Sequence, residues 1–178
     1  MTNARTKTTT LPSITYFTYE TVVGPITVSC SPEAVKGITF GPEPPFIATH
    51  RETTLSCQAA HQLSEYFSGT RQTFNLPLDP QGTLFQKKVW QALLTIPYGE
   101  TRYYKQIANQ IGCPKGARAI GMANNRNPIA IVIPCHRVIG KQGSLVGYAG
   151  GLALKEQLLN IEEKTMISQG DRYGQCDE

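Results

Sequence analysis

The first third of the chain carries the hydrophobic pattern of a β-protein. Ile14–Tyr19 is dense in β-branched and aromatic residues, Gly24-Pro25 marks a turn, and Ile26–Cys30 and Val35–Phe40 read as two further strands. Gly41–Pro45, with three prolines, predicts a loop. The period then changes. Leu55, Ala59, Leu63 and Tyr66/Phe67 recur at helical spacing, and Gly69 stands where a helix C-cap belongs. Phe74–Leu78 reads as one more short strand, and the turn-forming run Asp79-Pro80-Gln81-Gly82 as a domain boundary. Residues 1–82 are therefore expected to form a small α+β domain, with the polar stretch 1–12 a loose tail.

From Thr83 onward the pattern is mainly helical. Thr83 can cap a helix whose Phe85, Val89 and Leu93 share a face, and Pro97–Glu100 breaks it. Thr101 is expected to start a second helix carrying Tyr104, Ile107, Ala108 and Ile111. After the turn Gly112-Cys113-Pro114 comes a helix of small residues, Ala117 to about Asn125, which Asn127-Pro128 ends. Two helices joined by a short Gly-containing turn form the helix-turn-helix pattern. Ile129–Ile133 reads as a buried strand leading into Pro134-Cys135-His136-Arg137. A Gly-rich loop, Gly140–Gly151, precedes a last helix with Leu154, Leu158 and Ile161 on one face. These elements make a second domain, 83–165, with 166–178 expected as a further tail.

Charge and composition narrow the function. The 178 residues carry a net +4, but residues 83–150 alone hold nine Lys/Arg against one acid, Glu100. Such a concentration suits a polyanion, nucleic acid first, and equally suits a solvated basic face. No run of about 18 apolar residues exists, so no membrane partner is expected. The start lacks the apolar core of a secretory signal, and the five cysteines (Cys30, Cys57, Cys113, Cys135, Cys176) include no close pair. A reducing cytoplasmic setting is expected, without disulfides. The three histidines, His50, His61 and His136, are not spaced like a zinc site, so no metal and no cofactor are expected.

Cys135 follows an apolar run and precedes a histidine and an arginine. It is either a buried structural cysteine or a nucleophile whose thiolate His136, as base, and Arg137, as cation, would favour. Glu162 on the last helix is an acid that could orient His136, although spacing alone leaves open whether they meet. The helix Ala117-Arg118-Ala119-Ile120-Gly121-Met122-Ala123 suits either tight helix packing or close approach to a nucleic-acid groove. Arg118 is either a surface ion-pair partner or a DNA contact.

These residues, taken together, resemble the O6-alkylguanine-DNA alkyltransferases. The resemblance rests on Gly121-Met122 through Asn127-Pro128 and on Ile131-Val132-Ile133-Pro134-Cys135-His136-Arg137-Val138. It is supported by Phe85–Trp90, Ile96–Thr101, Gly147–Leu152 and Lys155-Glu156, and runs from about residue 83 to 162. It implies a ribonuclease-H-like N-terminal domain and a winged helix-turn-helix-like C-terminal one. It implies a monomer that binds double-stranded DNA through the minor groove, with Gln86, Tyr104, Lys105, Cys113, Arg118, Ala119 and Lys141 on the DNA side. The damaged base would be turned out of the stack into a pocket lined by Tyr104, Val138, Tyr148 and Ala149, with Arg118 filling the gap. Cys135 would accept the alkyl group irreversibly, once per molecule, from O6-alkylguanine, with O4-alkylthymine a second substrate. His136 and Glu162 would relay the thiol proton, Asn127 would be the hinge after the recognition helix, and Tyr148 would donate to the leaving guanine. Some relatives hold a structural zinc, for which Cys30 sits near one ligand position without a full set. Ala130 stands where some relatives have proline, a change bearing on which adducts the pocket admits. Three other readings compete: a lesion binder without chemistry, which would lack the cysteine; a cysteine hydrolase, which would turn over; and an alkylation-sensing regulator, which would carry metal-binding segments.

Overall fold

The computed structural model describes residues 14–42, 44 and 47–173, with side chains through residue 168. The strand β1 (Thr15–Thr21) pairs antiparallel with β2 (Gly24–Cys30), which pairs antiparallel with β3 (Val35–Phe40). A two-residue β4 (Thr49–His50) joins the other edge of β1 in parallel. Ile26, Val28, Val35 and Ile38 point from this sheet into the core, where α1 (Thr54–Phe67) covers them with Ala59, Leu63 and Tyr66. Thr53 and Ser56 cap α1 reciprocally, and Gly69 follows its end at φ 74°. The 1–12 stretch lies outside the described residues, as do Glu43 and Pro45 of the Gly41–Pro45 loop and Cys176.

The second half starts where Thr83 and Gln86 cap α2 (Leu84–Leu93), which buries Val89, Trp90 and Leu93. Phe85 stays 37% exposed, because only Val89 and Leu93 of its row meet the core. The helix expected from Thr101 begins three residues later: Arg102–Tyr103 form a short strand, β5, and α3 spans Tyr104–Gln110. The helix α4 (Ala117–Asn125) packs on α2 and α3, and the Trp90 indole N–H donates to the Ala123 carbonyl at 2.9 Å. A second short strand, β6 (Val138–Ile139), pairs in parallel with β5. The last helix, α5 (Leu152–Tyr173), runs through most of the stretch expected as a tail after 165. No described helix is long and apolar enough to cross a membrane.

Two expected strands are corrected. Phe74–Leu78 makes only a single bridge, Leu78 to Val35. Ile129–Ile133 is buried as expected but is not a strand: only Ile129 bridges, to Ile38, and the chain then turns. Ile131 adopts φ 70°, a left-handed conformation that strains a β-branched residue and that glycine would prefer. Both bridges use the free edge of β3. Val35 bonds the Pro77 carbonyl and the Asp79 amide, while Ile38 bonds the Pro128 carbonyl and the Ala130 amide, all at 2.8–3.0 Å. The N-terminal sheet thus holds both the interdomain link and the loop that leads to Cys135.

Candidate active site

After the Ile131 turn, Cys135-His136-Arg137 form one turn of 3-10 helix, entirely buried. Side chains at the end of α4 hold it in place. Asn124 Nδ2 donates to the Cys135 carbonyl at 3.2 Å; Asn127 Nδ2 donates to the Ile133 carbonyl at 2.8 Å and lies 3.1 Å from Cys135 Sγ. Asn127 also turns its own backbone, its Oδ1 accepting from the Ile129 amide at 3.0 Å. Burial pushes the Cys135 thiol up to about 11, against the opposing pull of the Asn127 amide and the Lys155 ammonium. The thiol therefore rests protonated at neutral pH.

His136 and Glu162, 26 residues apart, meet at 2.7 Å between Nε2 and Oε1, both fully buried. The Glu162 carboxylate is densely donated to. Arg137 Nε reaches Oε2 at 2.9 Å and its Nη2 reaches Oε1 at 3.0 Å; the Gly99 amide donates to Oε2 at 3.0 Å and the Tyr66 hydroxyl to Oε1 at 2.7 Å. Burial would push this carboxyl up, but the hydrogen bonds from His136 and Arg137 outweigh it and hold it at about 2. Gly99 can present its amide because it sits at φ 76°, and a Cβ there would lie 2.6 Å from Met166.

The protonation pattern follows. Burial lowers the His136 pKa despite the pull of Glu162, so the imidazole is neutral. An ionised carboxylate at 2.7 Å requires the proton on Nε2. Nδ1 is then a bare acceptor, buried and without a partner among the described residues. The Tyr148 hydroxyl is likewise buried and unpartnered, with its ring 5.9 Å from Phe40 of β3.

One expectation fails here. Arg137 was expected to lend its charge to the thiolate; instead it is spent on Glu162, the Ile96 carbonyl at 2.7 Å and the Tyr98 ring. The cation that acts on Cys135 is Lys155 of α5, 0% exposed, whose Nζ donates to the carbonyls of Val138 at 2.6 Å and Val146 at 3.0 Å. Asn124, Lys155 and Tyr66 are site residues whose roles reading the sequence missed. A lone Lys on an amphipathic helix and a Tyr on an apolar helical stripe both read as ordinary surface and core.

The remaining expected residues fall into two groups. Val138 is buried with its carbonyl taken up in part by Lys155, and Tyr104, half-buried, reaches the Val146 carbonyl at 3.4 Å; Ala149 is exposed on the same loop. Lys105 on α3, Arg118 on α4 and Lys141 just after β6 are exposed, while Ala119 on α4 and Cys113 in the turn between α3 and α4 are half-buried. Gln86 is half-buried with its side-chain oxygen engaged by the Thr83 amide at 2.8 Å. Among the described residues no three His, Cys, Asp or Glu side chains converge as metal ligands.

Residues 14–80 match the family described as 6-O-methylguanine DNA methyltransferase, ribonuclease-like domain, and residues 84–164 match its DNA binding domain. A protein of Methanosarcina acetivorans named methylated-DNA–protein-cysteine methyltransferase is 49% identical over 152 residues, 83% of this chain and 97% of that protein. One of the same name from Methanosarcina barkeri is 62% identical over 109 residues, 61% of this chain and 69% of that protein. The crystal structure of a Mycobacterium tuberculosis relative in complex with DNA superposes with a TM-score of 0.80 at 44% identity, covering 85% of this chain and 94% of that one. A fold of a small sheet domain followed by a helical one, with Cys135 set in the Pro-Cys-His-Arg turn, thus places this chain in the 6-O-methylguanine DNA methyltransferase family, the methylated-DNA–protein-cysteine methyltransferases.

Proposed function

We propose that the chain repairs O6-alkylguanine in double-stranded DNA by direct reversal, moving the alkyl group to Cys135. The observation that carries this reading is a buried thiol contacted by Asn127 Nδ2 at 3.1 Å and followed in the same turn by His136, which meets Glu162 at 2.7 Å. The name carried by the relatives, methylated-DNA–protein-cysteine methyltransferase, supports the same chemistry.

Successive residues of a 3-10 turn project about 120° apart, so His136 takes the thiol proton through an intermediary such as water. The thiolate sulfur attacks the alkyl carbon, the carbon–oxygen bond breaks with its electron pair going to guanine, and the proton taken from the thiol is passed on to guanine, which leaves as the neutral base. Tyr148 donates to the charge that develops on it. Asn127 keeps the sulfur in line. Because the resting thiol lies near 11, the thiolate forms only when the relay and the bound base act together. The thioether is stable and nothing in the site reverses it, so each chain acts once.

The base must leave the duplex to reach a sulfur that is only 4% exposed. The exposed face of α4, with Arg118 and Met122, fits the minor groove, and Arg118 fills the gap left by the base. O4-alkylthymine presents the same alkyl–oxygen bond and is a second substrate. The test is intact-protein mass spectrometry after mixing with excess O6-methylguanine duplex. One methyl group per chain, mapped to the peptide around Cys135 and absent in Cys135→Ala, is expected. Product release beyond one equivalent would overturn the reading.

A further inference from the structure

The N-terminal domain supplies one side chain to the relay itself. Tyr66 lies on α1, fully buried, and crosses the interface so that its hydroxyl sits 2.7 Å from Glu162 Oε1 and 3.3 Å from His136 Nε2. Those two atoms are themselves 2.7 Å apart, so the hydroxyl closes a triangle over the very contact that fixes the imidazole. The Tyr66 ring is held edge-on by Phe67 and Tyr98 and tilted against Phe74, which leaves its hydroxyl one direction to point.

We propose that Tyr66 is the positioning residue through which the N-terminal domain sets the reactivity of Cys135. This rests on the alkyl-transfer reading above. Oε1 accepts from four donors, His136, Tyr66 and two nitrogens of Arg137, and the tyrosine is the one contributed by the other domain. A carboxylate that accepts a hydrogen bond from the tyrosine is a weaker acceptor toward His136. The imidazole then keeps its Nε2–H without being drawn fully to imidazolium, and Nδ1 stays free to accept. Without the hydroxyl, Glu162 pulls harder on His136, the imidazole becomes easier to protonate, and the neutral base is lost at a higher pH. The charged and titratable groups around the imidazole are Glu162 and Lys155 from α5, Arg137 from its own turn and Tyr66 from α1.

Tyr66→Phe removes one oxygen and keeps the ring. Single-turnover methyl transfer from an O6-methylguanine duplex should slow roughly ten-fold, the scale of one hydrogen bond to a charged group. The acidic limb of the rate–pH profile should move to higher pH, and duplex affinity should stay as in wild type. In a Glu162→Gln background the same substitution should add little, because the two act through one contact. A phenylalanine variant that melts lower yet keeps the wild-type rate and acidic limb would make Tyr66 a packing residue and overturn the proposal. If that variant fails to fold, 3-fluorotyrosine at position 66 keeps the ring and strengthens the donor; its acidic limb should move to lower pH, and an unmoved limb overturns the proposal. A wild-type protein that transfers no methyl group would instead refute the underlying reading, which the same assay records first.

Discussion

At the scale of single residues, the site is a balance between burial and hydrogen bonding. Glu162 remains ionised in the interior only because its neighbours donate to it, and His136 remains neutral because burial outweighs the pull of that carboxylate. Both facts carry a pH signature. Below the usual histidine value near 6.5 the unfolded chain takes up a proton that folded His136 refuses, so stability falls as pH drops. Glu162, held at about 2, contributes stability that is complete above the usual glutamate range and lost as pH falls through about 2. Denaturant midpoints should therefore decline in two stages between about pH 6.5 and 2. In Glu162→Gln the lower stage should vanish; its persistence would assign acid lability to other carboxylates. What the sequence disclosed at this scale was whatever lay within a local string. Cys135 and His136 stand side by side, and Asn127 ends a recognisable helix. Tyr66 gave no such signal and Lys155 only its place in the Lys155-Glu156 pair, since the folded chain alone brings α1 and α5 to the same few ångströms. Arg137 was misread for the opposite reason: adjacency in sequence suggested adjacency in space, and a 3-10 turn points neighbouring side chains apart.

At the scale of elements, α4 carries the sharpest contrast between what its residues pack and what they present. Ile120, Ala123 and Asn124 are buried, while Ala117, Arg118, Met122 and Asn125 face outward. Gly121 is the informative position. A Cβ there would lie 3.7 Å from Tyr104, an ordinary contact, so Gly121→Ala should be tolerated and should raise stability by about 0.5–1 kcal/mol through helix propensity. Gly121→Leu should keep the fold but weaken duplex binding at least ten-fold if this face enters a groove. Thermal unfolding and fluorescence anisotropy of the two variants separate the outcomes; equal binding by both would remove α4 from the interface. The elements were largely legible because periodicity reports helices of useful length. It failed at Ile129–Ile133, where an apolar run bounded by prolines cannot be told from a strand by pattern alone. There the chain is shaped by Asn127, by the edge of β3 and by the strained Ile131, none of which alters the hydrophobic pattern.

At the scale of the whole molecule, charge and connection matter more than shape. The basic excess of residues 83–150 supplies Lys105, Arg118 and Lys141 to the exposed side of α3, α4 and the loop after β6. If that side lies along a phosphate backbone, binding releases counterions, and duplex affinity should drop by more than ten-fold between 50 and 200 mM salt for even a few neutralised phosphates, roughly. Titrations at several salt concentrations measure the slope, and a flat response would leave the charge as a solvated face. The domains are joined less by their linker than by the β3 edge, the Phe40–Tyr148 contact and the Tyr66 hydroxyl. The asparagines at the end of α4 have a consequence of their own. Asn124 and Asn127 bolt the end of α4 directly to the Cys135 turn, so the span from Arg118 to the sulfur is already fixed in the free protein. On the proposed function, such a molecule would behave as a rigid gauge: it would not reach for the lesion, and the duplex would have to bend, open and deliver the base to the depth at which the sulfur waits.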